Sequence, residues 1–197
     1  QQLADASNER TRGVMLNSPS NPTGAVYSDQ ELLEILDLAH ERGWWVISDE
    51  IYQRISYDAP SASVLQLTKH RDNLIIINGV AKAYAMTGWR IGWAIAPIAV
   101  AKAMTAFQSH TTSNPAAVSQ HAALAALANP SVTEPTIAHM VGEFHKRRNA
   151  VLIGLLHARL PRQAGADQVV AQHEIGGGEQ VADGDGEQGG AGKCDQP

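Results

Sequence analysis

Cysteine is almost absent from this chain. Cys194 stands alone, so no intrachain disulfide can form, and a reducing, cytoplasmic compartment is the simplest setting. Long apolar runs are missing as well. The longest, residues 91–101, is interrupted by Pro97 and falls short of the roughly 18 residues that a membrane span requires. No basic stripe with interleaved aromatics is present, which argues against nucleic acid as a partner. The eight histidines follow no HExxH or comparable spacing, so no metal site is expected. No secretory signal opens the chain, which starts on Gln1; the natural start is expected to lie upstream.

What remains is a chain of 197 residues, 44% hydrophobic, with a formal net charge of −5. That is long enough to bury a core in one or two domains. The charge is unevenly placed. Residues 163–197 hold seven of the twenty acids and nine of the seventeen glycines against a single base, Lys193, so residues 1–162 are nearly neutral. This last segment lacks apolar periodicity and reads as a tail, disordered or foreign to the fold.

Secondary structure is readable over most of the rest. Residues 13–16 form a short apolar run that breaks into the turn-rich Asn17-Ser18-Pro19-Ser20-Asn21-Pro22-Thr23-Gly24, a buried strand feeding a polar loop. Ser28 and Glu31 have the spacing of a capping box. The helix they start, predicted over 29–42, keeps Leu32, Ile35, Leu36 and Ala39 on one face and ends at Gly43. A second strand, residues 44–48, runs into Asp49-Glu50. Strand, helix and strand make a βαβ unit, so the two strands should be parallel with a right-handed crossover. A short helix is predicted near 64–69, further strands at 74–78 and 89–96, and helices near 98–109, 115–128 and 131–159. Trp44, Trp45 and Trp89 are expected in the core.

In open α/β sheets ligands bind beyond the carboxyl ends of the parallel strands. Those ends deliver Asn21 through its loop, then Asp49 and Tyr52, then Lys82, with Arg90 eight residues later. An amide, a carboxylate, a phenol, an amine and a guanidinium therefore converge on one rim. Read singly, Asn21 is common turn chemistry, Asp49 a helix cap, Lys82 a solvated loop residue and Arg90 a surface ion-pair partner. Their combination is what points to a site.

The segments "NSPSNPTGAVYS", "SDEIYQ" and "NGVAKAYAMTGWRIGW" resemble, in order and spacing, the class I/II aminotransferases of the aspartate aminotransferase type. The resemblance covers roughly residues 13–160, and the Met-Thr-Gly-Trp-Arg run after Lys82 is its most specific part. It implies an α/β fold, the fold type I large domain of the pyridoxal-phosphate enzymes, with a mostly parallel sheet flanked by helices, present incompletely. The implied organisation is a partial cofactor-binding domain over 1–128, a long helix over 129–162 leading to a small domain, and the tail over 163–197.

The resemblance also implies roles. Lys82 would form the Schiff base with pyridoxal 5′-phosphate and move the substrate proton, a task that suits an amine whose pKa falls on desolvation. Asp49 would keep the pyridine nitrogen protonated. Tyr52 and Asn21 would hydrogen-bond the ring oxygen, and Arg90 would grip the phosphate with its planar fork. The implied reaction passes an amino group from an amino acid, aspartate first, to a 2-oxo acid, 2-oxoglutarate first, in a cytoplasmic enzyme whose complete form is a homodimer. The alternatives are a catalytically inactive fragment, or another reaction of the same cofactor, such as aromatic transamination or a β-eliminating C–S lyase. Two departures stand out. Gly79 and Ala81 occupy positions where many members carry phosphate-binding serines, and no counterpart is visible for the family's N-terminal phosphate loop, its ring-stacking aromatic or its carboxylate-binding arginine; Arg159 and Arg162 do not lie in that motif.

Overall fold

The computed structural model describes residues 2–58 and 60–159. By contacts the chain divides between Val151 and Leu152. The reading of 163–197 as a tail lies outside the described residues, as does Arg162.

Helix α1 is Gln2–Ala6 and strand β1 is Gly13–Asn17. Helix α2, Asp29–Glu41, starts where the capping box required. Ser28 Oγ accepts from the Glu31 amide, and the Glu31 carboxylate accepts from the Ser28 amide at 2.8 Å. Leu32, Leu36 and Ala39 are buried, with Ile35 packed beside them. Gly43 follows at φ 64°, a conformation that glycine enters without the Cβ penalty. Strand β2 is Trp45–Asp49 and β3 is Leu74–Gly79, with the short helix α3, Val64–Leu67, between them.

Strands β1, β2 and β3 pair in parallel, and β4, Gly92–Ile95, adds to β3 antiparallel. The sheet order is β1-β2-β3-β4. The core lies on one face only: Leu16, Val46, Leu74 and Ile76 pack against α2, Trp44 and Val64. Alternation sends Met15, Trp45 and Ile77 to the other face, where they are exposed. Trp44 is thus a core residue as expected, but Trp45 and Trp89 are not. Trp45 follows Trp44 by one residue and points the opposite way, and Trp89 lies on the short 3-10 turn Thr87–Trp89.

Helices α4, α5 and α6 are Ile98–Thr111, Ala117–Ala128 and Pro130–Arg159. In α6, Ile137 is buried and Met140, Val141 and Phe144 are half-buried. Among the described residues no helix is long and apolar enough to cross a membrane.

The α2 cap carries a pH signature. The Ser28 amide and then its hydroxyl hold the Glu31 carboxyl below the ordinary glutamate value. A depressed folded-state pKa stabilises above the unfolded value and is lost as pH falls through the folded one. In thermal melts between about pH 7 and about pH 3, Ser28→Ala is expected to be less stable than the natural chain at neutral pH. The gap should narrow on acidification as the bond from the Ser28 hydroxyl to the Glu31 carboxylate is lost; a gap independent of pH would mean that this bond contributes nothing and that the Glu31 amide, left without Ser28 Oγ, accounts for the whole of it.

Candidate active site

Parallel pairing brings the carboxyl ends of three strands to one edge, with Asn17 opposite Asp49 and Asp49 opposite Ile77. The loop after β1 folds back over this edge. Asn17 does most of the joining: its Nδ2 donates to the Asp49 carbonyl at 3.2 Å, and its Oδ1 accepts from the Asn21 amide at 2.8 Å. Asn21 then donates through Nδ2 to the Tyr52 hydroxyl at 3.2 Å. The Lys82 ammonium stands 5.4 Å from the centroid of the Tyr52 ring, within the range of a cation–π contact. Asn21, Tyr52 and Lys82 are therefore gathered in space, although 61 positions separate the first from the last.

Asp49 and Glu50 are chemically alike and structurally opposite. Asp49 is half-buried, and its Oδ1 accepts from the Ile51 amide at 3.1 Å. Glu50 is buried; its Oε1 accepts from the Val64 amide at 2.9 Å and from the Ser48 hydroxyl at 3.3 Å. Glu50 thus anchors the start of α3 beneath the sheet, whereas Asp49 shares the edge row with Asn17.

Lys82 and Arg90 lie on one closed loop, residues 80–91. Its neck is the Gly79–Gly92 pair, followed by Val80 donating to the Ile91 carbonyl at 3.2 Å. A Cβ on Gly79 would meet the Ile91 oxygen at 2.8 Å, so this crossing needs glycine. Within the loop Val80 and Ala83 are buried, and the Lys82 carbonyl accepts from Ala85 at 3.0 Å. Arg90 adopts a left-handed conformation, φ 56°, and its exposed guanidinium donates to the Thr87 carbonyl at 3.2 Å. It faces its own loop and takes no part in the Asn21–Tyr52–Lys82 contacts. The Thr87 hydroxyl donates to the Ala81 carbonyl at 2.8 Å.

The family model for aminotransferases of class I and II matches residues 1–173. The chain belongs to that family. It is 42% identical over 153 residues to the aspartate aminotransferase of Geobacillus stearothermophilus, an alignment covering 77% of this chain and 38% of the relative. It is 46% identical over 154 residues to that of Streptomyces avermitilis, covering 77% and 37%. Among solved structures, aspartate aminotransferase from Thermus thermophilus with maleate superposes with a TM-score of 0.76 at 36% identity, covering 79% of this chain and 40% of that one. An aromatic aminotransferase from Pyrococcus horikoshii OT3 superposes with a TM-score of 0.77 at 36% identity, covering 81% and 43%. The chain thus spans about 40% of the length of these aminotransferases, and its sheet and flanking helices form part of their α/β fold.

The opposite orientations of Asp49 and Glu50 give a direct test. Glu50→Ala leaves two donors without their acceptor and should lower stability by about 3 kcal/mol. Asp49→Ala removes one half-buried bond and should cost about 1 kcal/mol. Urea unfolding checks the difference; equal losses would mean that the register of β2 is misread.

Proposed function

We propose that this chain is the cofactor-binding portion of a pyridoxal-phosphate-dependent aminotransferase that moves an amino group from an amino acid to a 2-oxo acid. The observation that carries the reading is the approach of the Lys82 amine to the Tyr52 ring, whose hydroxyl is held by Asn21, with Asp49 ending β2 on the same sheet edge. The donor set suits the cofactor. It offers an amine for the aldehyde, a carboxylate for the ring nitrogen, a phenol with an amide for the ring oxygen, and a guanidinium for the phosphate.

When bound, the cofactor supplies a carbon that holds the substrate nitrogen and a ring that draws electron density from the substrate Cα. Lys82 would hold the cofactor through its amine and, as a free amine, would take the proton from the substrate Cα and return it to the carbon bearing the nitrogen. Asp49 would keep a proton on the ring nitrogen. Asn17 holds its backbone carbonyl and the Ile51 amide holds its carboxylate, which limits its freedom to turn away. Tyr52 and Asn21 act as one unit on the ring oxygen. Arg90 would serve the phosphate only by turning its guanidinium away from the Thr87 carbonyl to which it donates here, and neither Gly79 nor Ala81 adds a hydroxyl.

Aspartate as donor and 2-oxoglutarate as acceptor are the favoured substrates, supported by relatives named as aspartate aminotransferases. Aromatic transamination is the second choice, supported by the aromatic aminotransferase that superposes equally well. A homodimer for the complete enzyme belongs to the same proposal and rests on the family. The span of about 40% of the relatives' length supports one further reading, that this polypeptide alone binds without turning over.

Borohydride reduction with pyridoxal phosphate present tests the site. Label should concentrate on the peptide containing Lys82 and vanish in Lys82→Ala, and the presence or absence of turnover in the same sample separates the active reading from the inactive one. Label spread evenly over Lys69, Lys102 and Lys146 would overturn the assignment.

A further inference from the structure

Arg54 lies two residues beyond Tyr52, and Tyr84 lies two residues beyond Lys82. The two pairs are therefore offset alike, and a bond joins the outer pair: Arg54 Nη1 donates to the Tyr84 hydroxyl at 2.8 Å. The Arg54 carbon Cζ also stands over the Tyr84 ring, 5.5 Å from its centroid, within the range of a cation–π contact. Its other terminal nitrogen is paired with Glu134 of α6. The Arg54 side chain is only 30% exposed, which spares this ion pair part of the screening that weakens surface pairs.

Each partner segment is rigid in itself. The Tyr52 carbonyl accepts from Ile55 at 2.7 Å, and Gln53 donates to the Glu50 carbonyl at 2.9 Å. Around Lys82, Met86 donates to the Val80 carbonyl at 3.3 Å, and Val80 and Ala83 are buried. The last sheet pairing between these chains is Asp49 with Ile77, so the Arg54–Tyr84 bond links them well beyond the sheet. An arginine suits the place because its donors form a fixed fork that serves two partners in set directions, which a lysine ammonium does not.

We infer that Arg54 is a positioning residue that, through Tyr84 and Glu134, sets the distance between the Lys82 amine and the Tyr52 phenol. This rests on the assignment of Lys82 above. It adds a residue that touches neither cofactor nor substrate but governs how readily the amine reacts.

The test compares the natural 197-residue chain with Tyr84→Phe, Arg54→Ala, Arg54→Lys and the double variant Arg54→Ala/Tyr84→Phe. Each is treated with pyridoxal phosphate and borohydride across a pH series, with label at Lys82 measured against label at exposed Lys102 in the same sample. Tyr84→Phe, which keeps the ring and hence the packing, should lower the Lys82 to Lys102 ratio by about tenfold and move the pH midpoint of Lys82 labelling. The double variant should lose no more than Arg54→Ala alone, which already breaks the links to both Tyr84 and Glu134, and Arg54→Lys should recover only part. A purely structural role would shift the melting temperature and leave the pH midpoint in place. If the natural chain prefers Lys82 and Tyr84→Phe matches it in ratio and midpoint, this inference is wrong and the assignment of Lys82 stands. If the natural chain shows no preference for Lys82, the assignment itself fails and this inference falls with it.

Discussion

Parallel pairing of β1, β2 and β3 is the constraint on which the rest depends. Strands that run the same way must end on the same edge, so Asn17, Asp49 and Ile77 form one row and the segments after them meet. Three stretches far apart in the chain then share a rim, where the Asn17–Asp49, Asn21–Tyr52 and Lys82–Tyr52 contacts form between them. Apolar burial on the opposite face holds that arrangement: Leu16, Val46, Leu74 and Ile76 form the inner face with α2 against it, and a one-residue slip would expose all four. The same two-residue period separates Asp49 from Glu50 and assigns one to the rim and the other to the interior.

The fourth strand solves a different problem. Because β4 returns antiparallel, the twelve residues between Gly79 and Gly92 close into a loop anchored at both ends. Among the described residues three non-glycine residues have positive φ, and two of them, Ala85 and Arg90, fall in this loop. A left-handed residue costs about 1–2 kcal/mol, and such strain persists only where the surroundings impose it. Here they do so through the buried Val80 and Ala83 and the hydrogen bonds of Lys82, Val80 and Ala81. The loop that carries Lys82 is therefore held in shape before any ligand arrives.

Much of this was legible in the sequence, and the reasons differ by element. The α2 cap was readable because Ser28 and Glu31 satisfy each other locally, with no help from the rest of the fold. The parallel sheet followed from strand, helix and strand in order. Asn21, Asp49, Tyr52 and Lys82 could be named because they stand at strand ends, which the sheet must bring together. What escaped depends on tertiary contacts. Asn17 looked like another turn residue, yet it bonds both Asp49 and Asn21; its place as the last residue of a strand was the available signal. Strand alternation separates Glu50 from Asp49, but the partners of the buried Glu50, Val64 and Ser48, come from the tertiary fold. The bond from Arg54 to Tyr84 spans thirty residues and has no periodicity to announce it. Trp45 looked like core because tryptophan usually is, and strand alternation decided otherwise.

The central claim is that parallel pairing carries Tyr52, three residues beyond β2, and Lys82, three residues beyond β3, to within contact of each other. Nuclear Overhauser measurements on the chain with labelled tyrosine and lysine address it directly. With the Lys82 ammonium 5.4 Å from the ring centroid, cross-peaks should connect the Tyr52 ring protons to the terminal methylenes of Lys82, and substitution of Lys82 should remove them. Their absence in the folded chain, or cross-peaks from the Tyr52 ring to another lysine instead, would contradict the account.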